Sequence, residues 1–369
     1  MATLLKDLYS PAFYDRFLGI APTAVPLLQP EQFRRSLFTP EWQDMALKQR
    51  MRHTATVLHQ FLPDNFESAA LELEALVTGL QDASFFGAAL EFMFLPDYIE
   101  QYGLDHPDAA LRAFEIITPY TSCEFAIRPF IKRFPEKVFQ KLTWWSKHPN
   151  HHVRRLASEG CRPRLPWAMA LPDLKKDPSP VINILENLKQ DSSEYVRRSV
   201  ANNLNDIAKD HPEIVMEIAA NWKDLSAETN NIIKHGCRSL LKQGHRAALA
   251  HYGLSPTRIA VPSFRIKAGR LRVGDRLQME FSVENLAASA RLFRMEYAIF
   301  FRHKNGRHYR KVFKISERVV EGKTSLTLQK SHDLKPITTR KYYPGTHRVA
   351  LILNGKEMAV LPFELQLKK

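Results

Sequence analysis

The strongest constraint on the fold of this chain is a helix start that it states twice. The segment HPNHHVRRLASEGCRPRLPW, His148 to Trp167, and the later DSSEYVRRSVANNLNDIAKDHPEIV both pass through a polar turn into Val-Arg-Arg, at Val153-Arg154-Arg155 and Val196-Arg197-Arg198. The step between them is 43 residues, and a weaker third copy follows at Ile233-Lys234-His235-Gly236-Cys237-Arg238. Such a period is that of paired-helix repeats of the HEAT kind. These units bury their apolar faces only against neighbours, so a stacked helical array with one concave surface is expected. The two copies then diverge. The second continues as helix through Ala201, Leu204 and Ile207, whereas the first carries Glu159, Arg162, Arg164 and Trp167 into a stretch broken by Pro163 and Pro166. Chemistry is expected in the copy that departs from plain scaffold.

Helical spacing of apolar residues runs from Leu4 to about Tyr252, punctuated by proline turns such as Leu62-Pro63-Asp64, His106-Pro107-Asp108, Lys147-His148-Pro149 and Asp210-His211-Pro212. Beyond a short linker near Gly253 to Pro256 the texture changes to alternating runs. Residues 276 to 284, 293 to 301 and 347 to 353 predict strands, with hairpin turns at Asn305-Gly306 and Asn354-Gly355. About seven strands in this length suit an immunoglobulin-like sandwich without the antibody disulfide, since no Cys follows Cys237. The expected fold class is thus multidomain α + β: an all-α HEAT-like array over 1–253, then an all-β immunoglobulin-like sandwich over 256–369.

Charge divides along the same line. From Pro256 onward twenty-four Lys and Arg face nine Asp and Glu, whereas the preceding part is nearly balanced, with twenty-nine against thirty. A module so basic predicts a polyanionic partner. Cys123, Cys161 and Cys237 are widely spaced within helical patterns and predict buried thiols in a reducing compartment. The N-terminal MATLLKDLYSPAFYDRF mixes charge into its apolar residues, so no signal peptide is expected. No apolar run approaches the roughly 20 residues of a membrane-spanning helix. A cytoplasmic monomer without membrane contact follows as the expectation.

Neither HExxH nor CxxC occurs, and His148, His151 and His152 lack a partner at ligand spacing, so metal none is the reading. No glycine-rich phosphate loop and no nucleophile elbow is present, and no cofactor is expected. What remains is cationic. Arg154, Arg155, Arg197, Arg198, Lys234, His235 and Arg238 hold comparable places in successive repeats, where stacking aligns them for a phosphate backbone. Taken singly, Glu159 reads as an i,i+4 partner of Arg155, Trp167 as a packing plug in a proline-rich loop, and Glu124 as an acidic first-turn residue. On these grounds a non-catalytic scaffold for nucleic acid or an acidic protein stands beside an enzyme.

The segments FTPEWQDMALKQRMRHTATVLHQFLP, TSCEFAIRPFI, VRRLASEGCRPRLPWA, EYVRRSVANNLNDIAKDHPEIV and IIKHGCRSLLKQGH together resemble the AlkC-type branch of the HEAT-like DNA alkylation repair glycosylases, the AlkC/AlkD superfamily. The likeness covers most of residues 1 to 253, and the β-rich extension is similar to the immunoglobulin-like domain carried by part of that branch. The resemblance implies excision of 3-methyladenine and 3-methylcytosine from double-stranded DNA in base excision repair, by a monofunctional enzyme, without full base flipping, in the cytoplasm on nucleoid DNA. It also implies Glu124, Glu159 and Trp167 as catalytic-site positions, with DNA held by the repeated cations and by Arg128, Arg162 and Arg164 around them. The sequence departs from the AlkD pattern, which presents Trp and Asp on the helix equivalent to that bearing Glu124, so those roles are not carried over. Carboxylates without an acid partner suit the implied substrate, because an N3-methylated base is already cationic and leaves without being protonated.

Overall fold

The structure, a computed structural model, describes residues 4–86, 90–337 and 340–367; the first three residues of the N-terminal segment lie outside this range. Two compact units are present: one comprises Met1–His211 and Asn221–Gly236, the other Pro212–Ala220 and Cys237–Lys369. Helix gives way to strand between His251 and Ile259, close to the boundary expected from the sequence texture. The helices Arg238–Gln243 and Arg246–His251 nevertheless group with the strands that follow them.

In the first unit prolines punctuate by starting helices as well as by ending them. Pro11, Pro30, Pro107, Pro135 and Pro172 each occupy a first helical position. The missing N–H would have no intrahelical partner there, and the fixed φ is already helical. The proline-rich stretch after Trp167 is therefore less irregular than its composition predicts, with helices Pro172–Lys176 and Ser179–Leu188 both carrying proline in the first turn. Upstream, Phe13, Tyr14, Phe17, Phe33 and Phe94 are buried together, mostly in edge-to-face or tilted contacts.

The two Val-Arg-Arg helices are neighbours. Helix His151–Gly160 packs on Glu194–Ile207, which packs on Ala227–Gly236. Val153, Leu156, Val196, Val200, Leu204 and Ile233 are buried between and beneath them. Small residues allow the close approach: a Cβ at Gly236 would stand 2.9 Å from Cβ of Leu204. Polar groups at the contact are matched, with Ser199 Oγ donating to Ser158 Oγ (3.0 Å) and Asn203 Nδ2 to the Ser158 carbonyl (2.8 Å).

The strands of the second unit are β1 (Ile259–Ile266), β2 (Arg270–Arg272), β3 (Arg276–Asn285), β4 (Arg291–Arg302), β5 (His308–Val320), β6 (Ser325–Asp333), β7 (Gly345–Leu353) and β8 (Lys356–Gln366). They form a three-stranded sheet, β1-β3-β6, and a five-stranded sheet, β2-β8-β7-β4-β5, antiparallel except for β2 against β8. Alternation supplies the core: Phe281 and Val283 of β3 meet Phe293 and Met295 of β4 and Leu351 and Leu353 of β7. The Asn354-Gly355 hairpin has both residues at positive φ, 44° and 78°, as a two-residue primed turn requires. At Asn305-Gly306 only the glycine is left-handed (79°), and the reversal spans His303 to Gly306. Gly244, at φ 75°, lies so close to Gly355 that an added Cβ would stand 2.7 Å from its carbonyl oxygen, which ties the preceding helix to the β7–β8 turn.

Candidate active site

The first arginine of each repeat has a structural use. Arg154 Nη1 donates to the carbonyls of His148 and Pro149 (2.9 and 2.8 Å), and Arg197 Nη1 donates to those of Asp191 and Ser192 (2.8 and 2.7 Å). Arg154 also reaches into the next repeat, where Nε and Nη2 donate to Asp191 Oδ2 and Oδ1 (2.6 and 3.0 Å). Both guanidinium groups therefore tie turns to helices instead of standing ready for a phosphate.

The second arginine of the first repeat gathers the candidate carboxylates. Glu124 lies in the turn that precedes helix Ile127–Arg133, not within its first turn, and Oε2 accepts hydrogen bonds from Arg155 Nη1 and from the Ser122 hydroxyl. Arg155 Nη2 stands 3.6 Å from Glu159 Oε1, and Arg162 Nη1 approaches the same oxygen more closely, at 2.7 Å. Arg162 continues to Asp206 (2.9 Å), which Lys209 also contacts (3.0 Å). The i,i+4 pair expected for Glu159 is thus the longer of its two ion pairs. What results is an alternating chain, Glu124, Arg155, Glu159, Arg162, Asp206, Lys209, largely buried. Its bonds run to one oxygen of Glu124 and one of Glu159, and the opposite oxygens lie outside them. Burial opposes the charge on Arg155, yet Glu124 and Glu159 outweigh it and raise its pKa above the ordinary arginine value. The guanidinium also lies 4.7 Å from the centre of the Tyr195 ring.

Trp167 is not a packing plug. Its side chain is 61% exposed, and its backbone is left-handed at φ 67°, a region that disfavours a residue with a bulky side chain. Two cations hold the loop in that conformation. Lys48 Nζ donates to the Trp167 carbonyl and stands 5.0 Å from the centre of the Phe125 ring, next to Glu124. Arg128 is fully buried and grips the loop on both sides of Trp167, donating from Nη1 to the carbonyls of Gly160 and Arg162 (2.8 and 2.9 Å) and from Nε to that of Met169 (2.6 Å). Burial pushes its pKa down to about 10. The expected phosphate contact from Arg128 does not fit this position, since desolvation and three carbonyl bonds commit the guanidinium to the interior.

The other sequence-derived cations are dispersed. Arg162 is buried in the chain of charges, and Arg164 binds Asp210 through Nη2 (2.5 and 2.8 Å). Arg198 is 68% exposed and pairs with Glu194 (2.8 Å) across one helical turn. His235 Nε2 lies 3.2 Å from Asn202 Oδ1, and a recess of about 630 Å³ is lined by Arg197, Arg198 and His235 together with Glu194 and Glu228. Lys234 is half-buried and Arg238 opens the helix Arg238–Gln243 of the second unit. Aligned starts did not make aligned charges, because the first arginine of each repeat turns back on its own turn.

Sequence reasoning missed Lys48, Tyr195 and Asp206, which lie far along the chain from Glu124 and Glu159, and Ser122, which stands two residues from Glu124 but carries no spacing signal of its own. Among the described residues no group of three or more His, Cys, Asp or Glu could hold a metal ion, and no helix is long and apolar enough to cross a membrane.

Three comparisons bear on this arrangement. Residues 260–367 match a family model described as the C-terminal Ig-like domain of the uncharacterised protein YhaZ. The uncharacterized protein YhaZ of Bacillus subtilis (strain 168) is 39% identical over 362 residues, which span 98% of this chain and 99% of that protein. A solved structure of the Pseudomonas fluorescens alkylpurine DNA glycosylase AlkC, bound to DNA containing an abasic-site analogue, is 31% identical with a TM-score of 0.92, covering 99% of this chain and 100% of that one.

Proposed function

We propose, since this chain belongs to the AlkC-type family of DNA glycosylases with a C-terminal immunoglobulin-like domain, that it hydrolyses the N-glycosidic bond of N3-methylated bases, 3-methyladenine and 3-methylcytosine, in duplex DNA. The carrying observation is the convergence of Glu124 and Glu159 on Arg155, with Trp167 exposed on the loop that follows Arg162. Arg155 holds both carboxylates in place through one oxygen each, which leaves the other oxygen of each for the reaction. One stabilises positive charge growing at C1′ of the deoxyribose, and one orients the attacking water and accepts its proton. The C1′–N bond breaks with its electron pair going to the base, so the cationic methylated base departs neutral. Trp167 packs against the cationic lesion or its sugar before cleavage. Phosphate contacts fall to the exposed Arg198, to Lys234, His235 and Arg238, and to the basic β-domain. No amine nucleophile is used, so the reaction stops at the abasic site, and the base is reached without full extrusion into a pocket.

The test is incubation of methylated duplex DNA with the protein and chromatographic identification of what is released. Free 3-methyladenine is expected, with Glu124→Gln and Glu159→Gln each slowing release while DNA binding persists. Borohydride is expected to trap no covalent adduct. Full activity in both variants would remove the carboxylate mechanism, and absence of any released base would leave a DNA-binding scaffold.

A further inference from the structure

Four of the nine methionines of the chain, Met45, Met51, Met93 and Met169, line one cavity of about 560 Å³ within the helical unit, with Phe125 among them. That volume lies in the roughly 300–1,000 Å³ range of small-molecule sites. Thioethers and an aromatic face suit a flat heterocycle whose edges vary, because methionine is polarizable and adaptable.

The polar end of the cavity carries paired charges. Asp97 and Glu100, from helix Phe94–Tyr102, share a single guanidinium: Arg52 approaches Asp97 Oδ2 through Nε (2.9 Å), and its Nη2 donates to Asp97 Oδ1 and Glu100 Oε1 (both 2.9 Å). Lys48 also lines the cavity as a second cation, its ammonium donating to the Trp167 carbonyl. Asp97 Oδ2 also accepts from Gln101 Nε2 (2.9 Å), so both Asp97 oxygens are engaged, whereas Arg52 holds Glu100 through Oε1 and leaves Oε2 as an acceptor for an exocyclic amino group. Burial raises the pKa of both carboxyls, with the Asp97 charge adding to it at Glu100, opposed by Arg52 and Lys48.

The cavity adjoins the candidate centre. Ala168 and Met169, which form part of its wall, directly follow Trp167, and Ser122, also in the wall, donates to Glu124. One strained loop therefore shows its indole outward and its next two residues to the cavity.

We infer that this cavity receives the freed aminopurine, 3-methyladenine, after the glycosidic bond has broken, with the ring between Phe125 and the methionines and the amino group toward Glu100. The inference rests on the glycosylase reading and adds an exit site for the neutral base, separate from the carboxylates that act on the sugar.

The test uses the full chain with 13C-methyl-labelled methionine, titrated with free 3-methyladenine and followed by NMR. Saturable shifts are expected for Met45, Met51, Met93 and Met169 and none for Met216, Met279, Met295 and Met358. Thr56→Trp, at an exposed position of the cavity wall, and Glu100→Gln are each expected to weaken this binding at least tenfold. No saturable shift, or shifts spread over the β-domain methionines, overturns the inference. If methylated DNA releases its base while these methyls stay silent, the exit site falls and the glycosylase reading stands. If the methyls respond while no base is released, the cavity stands as a purine site and the glycosylase reading falls.

Discussion

Arg154 and Arg197, forty-three residues apart, make the same two hydrogen bonds: each donates Nη1–H to the carbonyls six and five residues upstream. The first arginine of the recurring Val-Arg-Arg is thus a folding device. Arg154 adds a bidentate pair with the buried Asp191 carboxylate, and removing it leaves that carboxylate with the Ser193 N–H but without a cation. Arg154→Ala should destabilise the protein by about 2–4 kcal/mol, since breaking a buried pair leaves an uncompensated charge. Urea denaturation measures this; a loss under about 1 kcal/mol would mean that water replaces the clamp.

Arg198 separates binding from stability. Its ion pair is exposed, so Arg198→Ala should change stability by no more than about 0.5 kcal/mol. If it meets a phosphate, the logarithmic salt slope of DNA binding should flatten by about 1. Titrations at several salt concentrations decide the point, and an unchanged slope would take Arg198 off the DNA.

Trp167 should trade stability against activity. Glycine adopts its left-handed backbone without the roughly 1–2 kcal/mol that an L side chain meets there, although glycine loses about 0.5–1 kcal/mol more in chain entropy. Trp167→Gly is therefore expected to leave stability unchanged or raise it by up to about 1 kcal/mol while excision slows. A clearly destabilised variant would show that the indole packs on the protein.

Arg128→Lys addresses the same loop from below. A single ammonium cannot span the carbonyls of Gly160, Arg162 and Met169, so stability should fall by about 2–4 kcal/mol. At a temperature where the variant is folded, its kcat should drop with little change in DNA Kd. Lys48→Met, which frees only the Trp167 carbonyl, should lower kcat with a stability change below about 1 kcal/mol. Wild-type kcat in both variants would mean that the loop holds its shape unaided.

His332 sets an acid limit on the β-domain. Burial, with the Arg340 charge adding to it, lowers its pKa to about 4, and Nδ1 lies 2.8 Å from the Tyr297 hydroxyl. The unfolded imidazole takes up its proton near pH 6.5, whereas the folded one stays neutral until about pH 4. Unfolding therefore binds a proton in this window. The stability it contributes is fully present above pH 6.5 and declines as pH falls to about 4, by at most about 3 kcal/mol. Denaturation midpoints at pH 7.5 and 4.5 should differ less in His332→Gln than in the wild type; equal differences would assign the acid sensitivity elsewhere.

Much of the architecture could be read in advance because it depends on local pattern. Helical periodicity to Tyr252, alternation in β3, the apolar runs of β4 and β7, and the Asn354-Gly355 turn each follow from backbone geometry acting over a few residues. The candidate carboxylates were legible only through resemblance, since by spacing Glu159 was an ordinary helical partner of Arg155 and Glu124 an ordinary turn residue. Lys48 could not be found that way, standing 119 residues from the tryptophan whose carbonyl it binds.

By itself the sequence determined that this protein has a helical part and a basic stranded part, and that the helix containing Glu159 differs from its repeat. The tertiary structure alone decided what each charge does. A buried guanidinium must find compensating acceptors, and beside any nearer ones Arg128, Arg154 and Arg162 each take acceptors 32 to 44 positions away. Desolvation makes such pairing obligatory, yet folding, not spacing along the chain, chooses the partner.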